Sequence, residues 1–169
     1  MIHTEYYKDG TPCECDEMKR WHQSSMVLLR ETPYMNNKKH GIEKWYCRFG
    51  GTLTREVPYV DGIRQGIAKG YYEPEALRYE IPWVNGKEHG IVKYYYESGA
   101  LKCEIPYVNG HKHGTYKEYY ESGALKLAAS HENNRRHGIT KSYYASGILD
   151  DERLYSRDQR IFHPMENFW

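Results

Sequence analysis

IVKYYYESGALKCEIPYVNGHKHG, residues 91–114, returns at once as TYKEYYESGALKLAASHENNRRHG over residues 115–138. Residues 67–90 precede it as IAKGYYEPEALRYEIPWVNGKEHG. A His-Gly or Gln-Gly step closes each copy, at His40-Gly41, Gln65-Gly66, His89-Gly90, His113-Gly114 and His137-Gly138, and these glycines are 25, 24, 24 and 24 residues apart. A fixed period in this range marks a repeat architecture, in which units stack because none buries its apolar face alone. The copy over residues 42–66 holds one extra residue, at Gly50 or Gly51, and counting back from Gly41 gives a worn copy from Met18. Beyond Gly138 the pattern runs to Tyr155 and then dissolves. The expected organisation is an N-terminal half-unit or cap over residues 1–17, tandem repeats over 18–155, and a cap or docking tail over 156–169.

Each copy divides into two strand-like runs. Ile91–Glu97 is rich in Tyr and β-branched residues, Ser98-Gly99 follows, Ala100–Val108 is the second run, and Asn109-Gly110 ends it. Ser-Gly and Asn-Gly permit the positive φ of tight turns. No sustained 3.6-residue periodicity or capping signal suggests a helix. The predicted fold is all-β, an elongated single-layer array of antiparallel β-hairpins.

A two-residue loop at Ser98-Gly99 sets Tyr96 against Leu101, Tyr94 against Cys103 and Lys93 against Glu104. Opposed residues share a face. One face then carries Val92, Tyr94, Tyr96, Leu101, Cys103, Ile105 and Tyr107; the other carries Ile91, Lys93, Tyr95, Lys102, Glu104 and Pro106. A three-residue loop instead sets Tyr95 against Leu101. The Lys–Glu or Arg–Glu opposition recurs as Arg20/Glu31, Lys69/Glu80, Lys93/Glu104 and Lys141/Glu152, and Lys117/Ala128 breaks it. Exposed pairs of this kind fix register more than they stabilise. Pro33, Pro58, Pro82 and Pro106 hold one place in four copies. Proline cannot donate to a ladder, so pairing between successive hairpins is expected to be partial.

Bulk composition narrows the function classes. The chain has 169 residues, 39% hydrophobic content and 18 tyrosines, and its mean hydropathy is −0.92. Tyrosine can cover a thin sheet while its hydroxyl stays wet. A net charge of +1 gives no electrostatic case for nucleic acid or an anionic membrane as main partner. MIHTEYYKDG lacks the basic and apolar regions of a signal peptide, so a cytoplasmic location is expected. Cys13, Cys15, Cys47 and Cys103 do not follow the repeat period and read as reduced thiols.

The combination of an aromatic, two residues, Gly and a short basic stretch ending in His-Gly resembles the MORN repeat in its bacterial variant form. It stands here as Trp83-Val84-Asn85-Gly86-Lys87-Glu88-His89-Gly90 and Tyr107-Val108-Asn109-Gly110-His111-Lys112-His113-Gly114, followed by a Tyr-Tyr-x-x-Gly turn such as Tyr119-Tyr120-Glu121-Ser122-Gly123. The resemblance covers roughly Met18 to Tyr155. It implies a ribbon of antiparallel hairpins, and it extends to YwqK-type arrays regarded as antitoxins, which implies a toxin-like protein partner.

Four features are candidates for function. Tyr46, Tyr71, Tyr95, Tyr119 and Tyr143 occupy one repeat position, with His22 in the worn copy, on the predicted face of Lys44, Lys69, Lys93, Lys117 and Lys141. Tyr alternating with Lys suits protein recognition, and equally suits plain cross-strand packing. His40, His89, His113 and His137 form a ladder, but equivalent residues two strands apart lie on the order of 10 Å from each other. Zinc–nitrogen bonds of about 2.0–2.1 Å cannot span that distance, so no metal and no cofactor is expected. No Gly-x-Ser-x-Gly, phosphate loop or His-Glu-x-x-His occurs, so no catalytic residues are expected. The tail gathers Phe162, Phe168 and Trp169, which fit a cap, a partner contact or a homodimer contact. The expectation is a non-enzymatic protein-binding scaffold, an antitoxin-like or inhibitor protein that sequesters a partner protein; the alternatives are a lipid-surface or assembly scaffold, and an enzyme whose site lies at a repeat or dimer junction.

Overall fold

A computed structural model describes residues 1–6, 28–47, 51–72 and 76–161. No helix occurs among these residues, and the strand pairings within each unit described below are antiparallel. The chain is all-β, as its runs and turns predict. It forms two compact units, Met1–Gly86 and Lys87–Trp169.

The first unit holds β1 (Ile2–Tyr6), β2 (Leu28–Met35), β3 (Lys38–Lys39), β4 (Gly41–Tyr46), β5 (Leu53–Val60), β6 (Ile63–Arg64), β7 (Gly66–Tyr71) and β8 (Leu77–Val84). The second holds β9 (Lys87–Glu88), β10 (Gly90–Tyr95), β11 (Leu101–Val108), β12 (His111–Lys112), β13 (Gly114–Tyr119), β14 (Leu125–Glu132), β15 (Arg135–Tyr143), β16 (Leu149–Ser156) and β17 (Gln159–Ile161). The hairpins are β4–β5 and β7–β8 in the first unit, and β10–β11, β13–β14 and β15–β16 in the second. β1 pairs with β2.

Two turns of different chemistry alternate. At one end, both central residues are left-handed: Asn109 has φ 52° and Gly110 φ 83°, and Asp61-Gly62, Asn85-Gly86 and Asn133-Asn134 follow suit. This is the type I′ turn, whose twist matches that of the strands it joins. Arg157-Asp158 adopts the same geometry, with φ 48° at Arg157. An arginine there costs about 1 kcal/mol, because its Cβ crowds the backbone in the left-handed region.

The turns at Asn36-Asn37, Asp61-Gly62 and Asn109-Gly110 each lead into a two-residue strand that stops at the His-Gly or Gln-Gly step. Gly114 has φ 108°, and a Cβ on it would lie 3.1 Å from Cγ of Pro106; Gly41 faces Pro33 and Gly66 faces Pro58 in the same way. The proline carbonyl still accepts, from the amides of His40, Gln65 and His113 at 3.0, 3.1 and 3.0 Å. Beyond the step the hairpins meet over only two residue pairs, Glu56↔Lys69 and Arg55↔Gly70 in one case and Glu104↔Lys117 and Cys103↔Glu118 in another. The partial pairing expected from the prolines is therefore present. The chain carries its own control: Ser130 stands where four earlier copies have proline, and there the step no longer breaks the strand. β15 runs unbroken for nine residues and pairs with β14 both before and after the step.

The opposite turns correct the two-residue loop. The Tyr96 amide donates to the Ala100 carbonyl, leaving three residues in the loop. Tyr95 consequently pairs with Leu101, but Tyr94 pairs with Cys103 and Lys93 with Glu104 as expected. Lys102 is the extra residue, a β-bulge that restores the register. The same shift occurs before Tyr46, Tyr71, Tyr119 and Tyr143. Two faces were therefore misassigned. Leu101 shares the face of Tyr95, not that of Tyr94, and the Lys102 ammonium lies 5.4 Å from the Tyr96 ring centre, on the side opposite to the one expected. In the copy with the extra residue, the Cys47 amide reaches the Thr52 carbonyl, so the insertion sits within this turn; Gly50 itself lies outside the described residues.

One face of each unit is buried. Cys47, Val57 and Ala68 are buried in the first unit and Val92, Cys103, Ala129 and Tyr155 in the second. Thr32 and Glu43 bring polar groups into the buried side of the first unit. The Glu43 carboxylate accepts from the Thr32 hydroxyl at 3.0 Å and from the Lys39 ammonium at 2.7 Å. Burial pushes the Glu43 carboxyl up, but the Lys39 and Thr32 hydrogen bonds and the Lys39 charge outweigh it, so it titrates below its ordinary value.

Two predictions follow from this packing. Gly114 and Gly99 both have positive φ, at 108° and 84°, but only Gly114 faces another residue within 4 Å. Gly114→Ala should destabilise by about 1–3 kcal/mol and by more than Gly99→Ala, measured by urea unfolding. Because the folded value of Glu43 is depressed below 4.5, its contribution is present above that pH and is lost as pH falls through the folded value. Unfolding free energies measured from neutral pH downward should decline there, and Glu43→Gln should flatten that decline.

Candidate binding face

Within each unit, the register places the tyrosine and lysine positions on one face, in rows that run across the strands. Nearest the bulged turns, Tyr46 pairs with Leu53 and Tyr71 with Leu77 in the first unit. In the second, Tyr95, Tyr119 and Tyr143 pair with Leu101, Leu125 and Leu149. The middle row alternates in charge. Glu31, Lys44, Glu56, Lys69 and Glu80 are successive partners in the first unit. Lys93, Glu104 and Lys117 are successive partners in the second, Ala128 interrupts, and Lys141 follows, with its ammonium 2.9 Å from Glu152. The third row pairs Ile42 with Pro58 and Ile67 with Pro82, then Ile91 with Pro106 and Ile139 with Leu154.

Lys44↔Glu56 belongs to the charged row and was missed in the sequence, because the extra residue in the turn displaces Glu56 by one from a strict count. A second missed feature locks the tyrosines. The hydroxyls of Tyr46, Tyr71 and Tyr119 donate to Glu31, Glu56 and Glu104 of the preceding copy, at 3.1, 2.7 and 3.2 Å. The signal was available: in each case the acceptor stands fifteen residues earlier. Burial first, and the carboxylate beside it, push the Tyr46 and Tyr119 hydroxyls up. Alongside them, Tyr96 and Tyr120 donate at 2.8 Å to the backbone carbonyls of Tyr119 and Tyr143. The Tyr-Tyr pair thus latches one hairpin to the next.

Two histidines of the ladder, His40 and His89, and the equivalent Gln65 join one copy to the next. The first residue of a type I′ turn donates its amide to the closing side chain of the previous copy: Asp61 to His40 Nδ1 at 3.5 Å, Asn85 to Gln65 Oε1 at 2.8 Å, and Asn109 to His89 Nδ1 at 3.5 Å. Histidine and glutamine interchange there because each offers an acceptor. The basic stretch before the step also acts between copies. Lys39 lies over the Tyr59 ring at 4.8 Å, Arg64 over Trp83 at 4.6 Å and Arg136 over Tyr155 at 4.3 Å, each ring belonging to the next copy. Such contacts contribute about 0.5–2 kcal/mol, depending on desolvation.

Cys103 offers no activated nucleophile. Burial pushes its thiol up, and the nearby Glu118 charge pushes it further, the reverse of a thiolate-stabilising environment. Glu118 itself accepts from Tyr116 at 3.0 Å and pairs with Lys126 at 2.8 Å. No group of three or more His, Cys, Asp or Glu among the described residues is placed to hold a metal ion. Phe162, Phe168 and Trp169 lie outside the described residues.

His89→Gln should leave stability unchanged, whereas His89→Leu should cost about 0.5–1.5 kcal/mol by removing the acceptor for the Asn109 amide, as read from thermal or urea unfolding of both variants.

No curated protein matches the chain. Residues 88–109, 112–133 and 136–156 each match the family model of the MORN repeat variant, so the hairpins of the second unit are similar to that family in both sequence and antiparallel construction.

Proposed function

We propose that the chain is a non-enzymatic protein-binding repeat scaffold, in which the face of a unit that carries the tyrosine, lysine and isoleucine rows holds a partner protein. The observation that carries this reading is the third row. Ile42 and Ile67 in the first unit are 50% and 53% exposed, and Ile91 and Ile139 in the second are 51% and 46% exposed. Apolar side chains spaced at the repeat, beside a row of charges that alternate in sign, supply contact area for a protein surface. The hydroxyl-bound tyrosines are ordered before any partner arrives, so they have little rotamer entropy left to lose on binding. The similarity to MORN repeats supports the same reading, since such repeats often serve as protein or membrane binding modules. A net charge of +1 favours a protein over an anionic membrane. In its finer form, drawn from the resemblance to antitoxin-type arrays, the partner is a toxin-like protein sequestered on this face.

The test is co-purification from the native host, with Ile67→Lys and Ile91→Lys introduced separately. The native chain should elute with one protein in fixed stoichiometry. Each variant should keep its unfolding midpoint and lose that partner. A chain that elutes alone counts against the reading, and so does a partner retained by both variants.

A further inference from the structure

We propose that the turn edge of the second unit carries a carboxylate-binding site, formed by the guanidinium groups of Arg135 and Arg157, which takes acidic side chains of a protein segment. Arg135, Arg157 and His137, with Glu132 and Asn133, line a depression of about 350 Å³. Neither Arg135 nor Arg157 has an ion-pair partner among the described residues. The nearby carboxylates are already engaged. Asp158 accepts from the Arg136 amide at 2.9 Å and lies 3.7 Å from the Arg136 guanidinium, and Glu132 lies 3.9 Å from His137.

Arg157 is also in the wrong place for its own turn. The first left-handed position is Asn36, Asp61, Asn85, Asn109 and Asn133 in the other copies, residues that tolerate positive φ, and only here is it arginine. A residue that breaks a local rule at a cost, with no compensating contact, marks a functional position. The local charge selects the ligand. Of the residues that line the depression, Arg135 and Arg157 are cationic and Glu132 is anionic, which leaves one net positive charge. That balance suits a monoanionic carboxylate, which a guanidinium fork holds bidentately, better than a dianionic phosphate.

Ile91 stands on β10, whereas the lining of this site comes from β14, β15 and the turns beside them, so the two readings are tested separately. The full chain is titrated calorimetrically with a synthetic peptide of alternating Glu and Gly. Arg157→Asn restores the residue of the other turns; it should raise Tm and weaken peptide binding about tenfold or more, and Arg135→Gln should weaken it similarly. Ile91→Lys should leave peptide binding unchanged. Undiminished binding by Arg157→Asn overturns the proposal, as does a peptide that does not bind the native chain. Inorganic phosphate or phosphatidylserine vesicles that bind more tightly than the peptide, in an Arg157-dependent way, overturn the choice of carboxylate.

Discussion

The stacking of one type I′ turn on the next is the constraint on which each unit rests. The amide of the second turn residue donates to a carbonyl of the strand that follows the turn of the preceding copy: Gly62 to Lys39 and Gly86 to Arg64 in the first unit, at 2.8 and 2.9 Å. Gly110 to Glu88, Asn134 to Lys112 and Asp158 to Arg136 repeat it in the second, at 2.8, 3.0 and 2.9 Å. These bonds form only if both turn residues are left-handed, because that geometry aims the amide out of its own hairpin. Along this edge they take over where the ladder between hairpins stops. The proline and the positive-φ glycine end the ladder, the turn stack resumes contact, and the cation over the next aromatic ring closes the seam.

Much of this was legible in the residues. The period gave the copies, Asn-Gly gave the left-handed turns, and recurring proline gave the short ladders. Lys93 opposite Glu104 was recoverable because charge alternation reports cross-strand pairing directly. The bulge at Lys102 was not, since Ser98-Gly99 reads equally well as two or three loop residues and the strand register beyond it is the same in both outcomes. Leu101 and Lys102 went to the wrong faces for that reason alone. A bulge exchanges the faces of two residues without disturbing the pattern on either side of it.

The candidate face was legible in position but not in chemistry. The tyrosine column was visible, but not that Tyr46, Tyr71 and Tyr119 spend their hydroxyls on carboxylates of the neighbouring copy. Nothing local announces a bond across fifteen residues. The isoleucines drew less notice than the tyrosines because a β-branched residue in a strand reads as core, and here Ile42, Ile67, Ile91 and Ile139 point away from it. The buried side is made largely of small residues such as Cys47, Ala68, Cys103 and Ala129, which is how a chain of low mean hydropathy still encloses a core.

Within each unit, every link between copies joins a residue to its immediate neighbour in the series: turn to turn, hydroxyl to carboxylate, cation to ring. Among the described residues of each unit, no such link measures the length of the array. Loss or gain of one whole 24-residue copy would bring together the same donors and acceptors that meet now. Evolution could therefore lengthen or shorten the recognition surface by duplicating DNA in register, with the existing seams serving the new neighbours unchanged.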